Sequence, residues 1–379
     1  MACQPDQPIE PPKEKCGVFG IWGAPDAAHR SYIALYAQQH RGQESAGIAV
    51  SDGERLDAHA GMGLVPEVFD ERILGQLTGH AAIGHNRYST TGRSLAANAQ
   101  PLLENYVGGQ VAVGHNGNLV NADLLRQQFE AEGHIFHTST DTEVIVHLLA
   151  THHIRRQDPL QAALKHLQGA YSLVFLFPDR LEAIRDPWGW RPLVLGETHD
   201  GYPCVASETV ALDAIGAQAQ REVEPGEIVT LSADGVSSRR FAPAQQPAHC
   251  VFEHVYFSNP SSKVFGDTVQ IAREKFGERL AEEAPVDADC VIPMPDSGRS
   301  AALGYARGSG IPFREGIVPN RYVGRTFIQP TQAQRDAAVQ LKLNAVEEVI
   351  DGKRIVVVDD SIVRGTTTRG KMQQLRRAG

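Results

Sequence analysis

RIVVVDDSIVRGTTTRG, residues 354–370, is an apolar strand that runs into two adjacent carboxylates and then into a loop of small hydroxyl residues opening a helix. The Ile-Val-Val-Val run shows no polar alternation, as expected of a parallel strand covered on both faces. Ligands of such sheets bind beyond the carboxyl ends of the strands, where Asp359 and Asp360 are delivered. Ser361, Arg364, Gly365, Thr366 and Thr367 follow. Hydroxyls and backbone N–H groups at a helix start make a phosphate cradle. The spacing is not GxxxxGK[ST], so this is not the nucleotide P-loop. Vicinal acids beside such a cradle suit a sugar phosphate, its ribose hydroxyls held by carboxylates directly or through hydrated Mg²⁺.

Around this motif, residues 250–379 alternate between strand and helix. REKFGERLAEEAP, SAALGYARGSG and RGKMQQLRRAG read as helices, and ADCVIPMP and KRIVVVDD as buried strands. That rhythm predicts an α/β domain with a parallel sheet. APAQQPAHC, residues 242–250, reads as a linker. Before it, residues 16–245 are strand-rich. GVFGIW, SAGIAV, HAAIGHN, QVAVGHN and YSLVFLF are short apolar runs bounded by glycines. Ile33, Leu35 and Tyr36 stand at helical spacing, and Val144, Ile145, Leu148 and Leu149 fall on one helical stripe. AAIGHNR and VAVGHNG both run from an apolar strand into Gly-His-Asn, which predicts that the two strands share a rim.

The 379 residues, 42% hydrophobic and 21% charged, are enough for two ordinary domains. A net charge of −9 disfavours general binding to nucleic acid. Five cysteines without a CxxC pair fit a reduced, cytoplasmic protein, and no stretch has the apolar length of a membrane span. The histidine spacings match no common zinc pattern.

VVVDDSIVRGTTT resembles the phosphoribosyl-diphosphate signature of type I phosphoribosyltransferases, and VIPMPDSGRSAALGYA resembles their diphosphate loop. NRYVGRTFIQPTQAQRDAAVQLKLN is similar to the loop that closes over the substrate. The resemblance extends to one subgroup, the glutamine phosphoribosyldiphosphate amidotransferases. In the front half CGVFGI, HRGQESAGIAV, GHNRYSTTG, GHNGNL and STDTE resemble that family's glutaminase domain. It implies an α+β N-terminal-nucleophile hydrolase, an αββα sandwich, followed by an α/β type I phosphoribosyltransferase domain with a parallel sheet.

The residue roles follow from the resemblance. Cys16 is the nucleophile, its base being its own α-amine, so residues 1–15 are expected to be a propeptide cut between Lys15 and Cys16. Asn116 and Gly117 match the oxyanion donors, Arg87 the partner of the glutamine α-carboxylate, and Asp141 the partner of its α-amine. Asp296, Ser297 and Gly298 would hold the diphosphate, with Arg325 and Lys342 from the closing loop; Ser297, Asp359 and Asp360 would hold Mg²⁺. Cys250 matches the first of four cysteine ligands to a [4Fe–4S] cluster, with the others expected beyond Gly379 in a chain truncated there.

The implied reaction hydrolyses glutamine and passes ammonia to phosphoribosyl diphosphate. The products are 5-phosphoribosylamine, diphosphate and glutamate, at the entry to purine synthesis. A homotetramer inhibited by purine nucleotides is also implied. A related glutaminase with a sugar-isomerase or ATP-pyrophosphatase half would lack the DDSIVRGTTT loop. A non-enzymatic sensor of phosphoribosyl diphosphate would not need Cys16, Arg87, Asn116 and Asp141 together.

Overall fold

Every residue of the strand Gly17–Trp22 is buried, because both of its faces are covered. Val18 and Trp22 point into an apolar layer with Ile83, Ala112, Val174 and Leu181, while Phe19 and Ile21 face Ala34 and Leu35 of the helix Ala27–Ala37. The computed structural model describes residues 16–88, 95–153, 158–320, 343–362 and 366–378. They divide into two compact units, one including residues up to 253 and 257–266, the other 254–256 and the residues from 267 onward.

The first unit is built on two antiparallel sheets. One runs in the order Ala217–Glu222, Val194–Thr198, Pro203–Ala206, Gly17–Trp22, Ala81–Arg87, Ser45–Ser51, Leu56–Met62. The other runs Gly235–Arg240, Glu227–Ser232, Arg180–Arg185, Gly169–Leu176, Gly109–Leu119, Leu102–Tyr106. Alternation assigns the layers. Leu173 and Phe175 pack outward with Leu125, Phe129, Ile145 and Leu148 of the helices Ala122–Ala131 and Thr142–His153, while Val174 and Leu176 pack inward between the sheets. Helices therefore cover both outer faces, giving the αββα sandwich. Fully buried strands of this kind lose the polar alternation of a sheet with one wet face.

Two sequence expectations change. Ile33 and Tyr36 are exposed, and the helix Ala27–Ala37 buries Ala27, Ala28, Ser31, Ala34 and Leu35 instead. Small residues let this helix lie close to the sheet, so its contact face carries less apolar bulk than its outer one. Residues 242–250 are also not a loose linker. The N–H groups of Gln245, Ala248 and Cys250 donate to the carbonyls of Pro187, Trp188 and Trp190 at 2.8, 2.9 and 3.2 Å, which ties the segment to the first unit. Proline and alanine side chains say nothing about such backbone pairing.

In the second unit Cys290–Pro293 and Ile355–Val358 pair in parallel, Cys290 opposite Ile355 and Pro293 opposite Val358. The helices Val269–Glu283 and Arg299–Ser309 pack together, and the Tyr305 hydroxyl donates to the Ala284 carbonyl at 2.8 Å. Ile317–Pro319 pairs antiparallel with Leu343–Ala345, and Thr366–Arg377 is the last described helix. Helices joined to parallel strands make this the expected α/β unit.

Candidate functional site

Cys16 stands one residue before the strand Gly17–Trp22 and is 6% exposed. Gly17 pairs with Asn86, which carries Cys16 to the Arg87 end of the neighbouring strand. Its carbonyl accepts the Nε–H of Arg41 at 2.9 Å. Arg87 is buried, and its guanidinium donates to Glu44 Oε1 at 2.6 Å. That contact orients the guanidinium.

The two Gly-His-Asn strands lie in different sheets and are tied together. His85 Nε2 donates to the His115 carbonyl at 2.9 Å. Burial pushes the His85 imidazole down to about 3, and Arg87 and His115 add to the effect although the hydrogen bond opposes it. His85 is therefore neutral near pH 7. This tie brings Asn116 and Gly117, on the second strand, toward the Arg87 side of the first. The Asn116 side chain is fully buried, and its amide nitrogen and oxygen have no partner among the described residues. Buried amides left this way are uncommon and costly. Gly117 has φ +152°, and a Cβ there would stand 2.0 Å from the Ala170 carbonyl oxygen, so only glycine fits.

Asp141 immediately precedes the helix Thr142–His153. Its Oδ2 accepts the Leu119 N–H at 2.9 Å, and its Oδ1 lies 3.4 Å from His115 Nδ1 and from the Thr142 hydroxyl. Burial acts to raise this carboxyl, but His115 and these hydrogen bonds together hold it below the usual carboxylate range. It is an anion near the Asn116 strand, suited to an ammonium group.

In the second unit the two phosphate-site motifs adjoin. The Met294 N–H donates to the Val358 carbonyl at 2.8 Å, and the Gly298 N–H to the Met294 carbonyl at 3.0 Å. A Cβ on Gly298 would come within 2.5 Å of the Val358 oxygen and 3.1 Å of Asp359 Cα. The loop carrying Asp296 and Ser297 is thus packed directly against the strand end that presents Asp359 and Asp360. Burial, and then the neighbouring Asp360, raise the Asp359 carboxyl. The Ser361 hydroxyl donates to Asp360 Oδ1 at 2.5 Å. Hard oxygen donors of this sort fit Mg²⁺. Arg325, Lys342, Arg364, Gly365 and residues 1–15 lie outside the described residues, as do the side chains of Thr366 and Thr367.

Cys250 is half-buried, and its Sγ accepts from Arg191 at 3.5 Å. It can supply one thiolate to a cluster. Cys204 and Cys290 sit in apolar cores and cannot serve the same group without disrupting them; burial pushes the Cys204 thiol up to about 12.

Several residues that shape the first site are not evident from its motifs. The Gln100 side chain accepts the His115 N–H at 2.8 Å and donates to Thr142 at 3.0 Å, fixing the Asn116 strand against the Asp141 helix. Arg41 rests between Glu208 and Glu253. The signal for Arg41 and Glu44 was present within HRGQES; for Glu253 it was a lone carboxylate in the apolar run CVFEHVYF.

The chain is similar to known proteins over nearly its whole length. Residues 85–214 match the family model described as a glutamine amidotransferase domain. The chain is 52% identical over 379 residues to amidophosphoribosyltransferase 1, chloroplastic, of Arabidopsis thaliana, covering 99% of this chain and 66% of that protein. It is 49% identical over 368 residues to the amidophosphoribosyltransferase of Bacillus subtilis, covering 97% of this chain and 77% of that one. The solved structure of the glutamine phosphoribosylpyrophosphate amidotransferase from B. subtilis, complexed with ADP and GMP, superposes with a TM-score of 0.89 at 47% identity, over 96% of this chain and 79% of that chain. This chain thus spans about two thirds to three quarters of the length of such relatives. With its αββα sandwich and its α/β unit, the chain belongs to the amidophosphoribosyltransferase family.

Proposed function

We propose that this chain carries the glutaminase and phosphoribosyl-transfer chemistry of an amidophosphoribosyltransferase, the first step of purine synthesis. The observation that carries the reading is the Asn116 amide, buried without a partner among the described residues on the strand that His85 ties to the Cys16 neighbourhood. The Cys16 thiol gives its proton to the residue's own α-amine and attacks the side-chain carbonyl of glutamine. Asn116 and the Gly117 N–H donate to the oxyanion. Arg87 takes the α-carboxylate, beside Glu44, and Asp141 takes the α-amine. Ammonia leaves, and water hydrolyses the thioester to glutamate.

Ammonia then attacks C1 of phosphoribosyl diphosphate and displaces diphosphate. Asp359 and Asp360 hold the ribose hydroxyls, and Asp296, Ser297 and Gly298 hold the diphosphate. Ser361, Arg364, Gly365, Thr366 and Thr367 cradle the 5-phosphate, and Arg325 and Lys342 close over the substrate. Mg²⁺ at Ser297, Asp359 and Asp360 would supply charge neutralisation for the leaving diphosphate. Removal of residues 1–15, a [4Fe–4S] ligand at Cys250, a cytoplasmic homotetramer and inhibition by purine nucleotides complete the proposal; the B. subtilis relative solved with ADP and GMP supports the last. Among the described residues no helix is long and apolar enough to cross a membrane.

The test is Cys16→Ala in the full-length protein. Glutamine-dependent synthesis should vanish while ammonia-dependent synthesis persists. Retention of glutamine use by Cys16→Ala would overturn the assignment.

A further inference from the structure

Once Cys16 is a chain terminus, no peptide holds its amino side. The contact that its carbonyl makes is then one of those that orient its Cα, and with it the thiol and amine. Arg41 donates to that carbonyl through Nε at 2.9 Å. The direction of that N–H is set by whatever fixes the guanidinium plane.

Two carboxylates do so, both fully buried with Arg41. Glu208 accepts from one terminal nitrogen at 2.6 Å, and its oxygens are shared with His40, the Asn259 N–H and the Ser262 hydroxyl at 2.8, 2.8 and 2.7 Å. Glu253 takes the guanidinium with both oxygens, at 2.9 and 2.8 Å. A single contact leaves a guanidinium able to tilt, whereas a two-point fork fixes its plane. Glu253 is itself held by the Ser258 hydroxyl at 2.7 Å and by Arg191 at 3.4 Å. Burial would raise the Glu253 carboxyl, but Arg41 more than offsets this and keeps it ionised.

Buried ion pairs often contribute no more stability than well-packed apolar residues would, so stability alone does not account for this arrangement. We propose that Glu253, acting through Arg41, is a positioning residue for Cys16. The proposal rests on the reading of Cys16 as nucleophile. Nothing in the glutaminase motifs points to Glu253, which lies 212 residues from Arg41 along the chain.

The experiment uses the processed full-length protein. Alkylation of Cys16 by iodoacetamide is followed by peptide mass across pH, beside steady-state glutamine hydrolysis. Glu253→Gln should slow Cys16 alkylation and lower kcat roughly 10- to 100-fold, with the alkylation pH profile displaced and KM for glutamine changed by less than about threefold. Ser258→Ala, which keeps the carboxylate and removes one of its anchors, should give the same signature at smaller size. Circular dichroism and Tm establish folding; if Glu253→Gln does not fold, Ser258→Ala decides. A folded variant with the wild-type alkylation profile and kcat overturns the proposal. Glutamine hydrolysis by Cys16→Ala would instead overturn the assignment of Cys16, whatever Glu253 does.

Discussion

His85 Nε2 donates to the backbone carbonyl of His115 across 2.9 Å, joining the two sheets at their matching Gly-His-Asn triplets. The bond lies at the buried layer between the sheets, and burial holds the imidazole neutral with its pKa pushed down to about 3 from 6.5. The unfolded chain therefore takes up this proton before the folded one. Stability attributable to His85 is complete above pH 6.5 and is lost as pH falls toward 3, by at most about 1.4 kcal/mol per pH unit. His85→Gln keeps a donor for the carbonyl and removes the titration. The urea midpoint of wild type should drop more steeply than that of His85→Gln between about pH 6.5 and pH 4.5. Parallel curves would show that His85 does not titrate as described.

Asn116 separates stability from activity. Its amide is buried without a partner among the described residues, so Asn116→Ala removes an uncompensated polar group and should change unfolding free energy by no more than about 1 kcal/mol. If the same amide meets the oxyanion, kcat for glutamine should fall about 100- to 1000-fold. Chemical denaturation and glutaminase assays on one preparation measure both. A large stability loss with modest kinetic loss would identify Asn116 as structural.

Much of this arrangement was legible in the sequence, and the reason is local. The strands of the sandwich are short apolar runs bounded by glycines, and the motif residues Arg87, Asn116, Gly117, Asp359 and Asp360 stand at or just after strands, where backbone pairing places them without long-range information. The shared rim of AAIGHNR and VAVGHNG also had a local cause, the same triplet on two strands. The pairing behind Cys16 had none: Arg41 and Glu208 are separated by 167 residues and are brought together by the tertiary fold alone. The anchoring of residues 242–250 depends on carbonyls of the 187–190 loop, to which composition is blind. The helix at Ala27–Ala37 was legible but its buried face was not, because closeness of approach, which favours alanine, leaves Ile33 and Tyr36 outside.

Gly298 tests whether the diphosphate loop must press against the strand end. A methyl there meets the Val358 carbonyl at 2.5 Å and the Met294 carbonyl at 2.8 Å, both backbone atoms that cannot rotate aside. Gly298→Ala should displace the loop carrying Asp296 and Ser297 from Asp359. The expected result is a rise in KM for phosphoribosyl diphosphate of roughly tenfold or more in the ammonia-dependent reaction, with glutamine hydrolysis by the first unit less affected. An unchanged KM would mean that the close packing is incidental to substrate binding.

Asp359 carries the sharpest expectation about Mg²⁺. Burial, and then the charge of Asp360, raise its carboxyl above the ordinary 3.8. A group with a raised folded value binds its proton more readily in the folded state. Its favourable contribution is therefore present in acid and lost as pH rises through the folded value. At neutral pH the ionised carboxylate burdens the folded unit until a cation relieves it. Asp359→Asn removes that burden, so the ligand-free protein should melt at or above the wild-type temperature. If Asp359 holds Mg²⁺ as proposed, the same substitution weakens that site, so Mg²⁺ with phosphoribosyl diphosphate should raise Tm in wild type and much less in the variant. Thermal unfolding with and without both ligands reads the two effects together. A variant less stable than wild type without ligand, yet equally stabilised with it, would place Asp359 in the scaffold rather than at the metal.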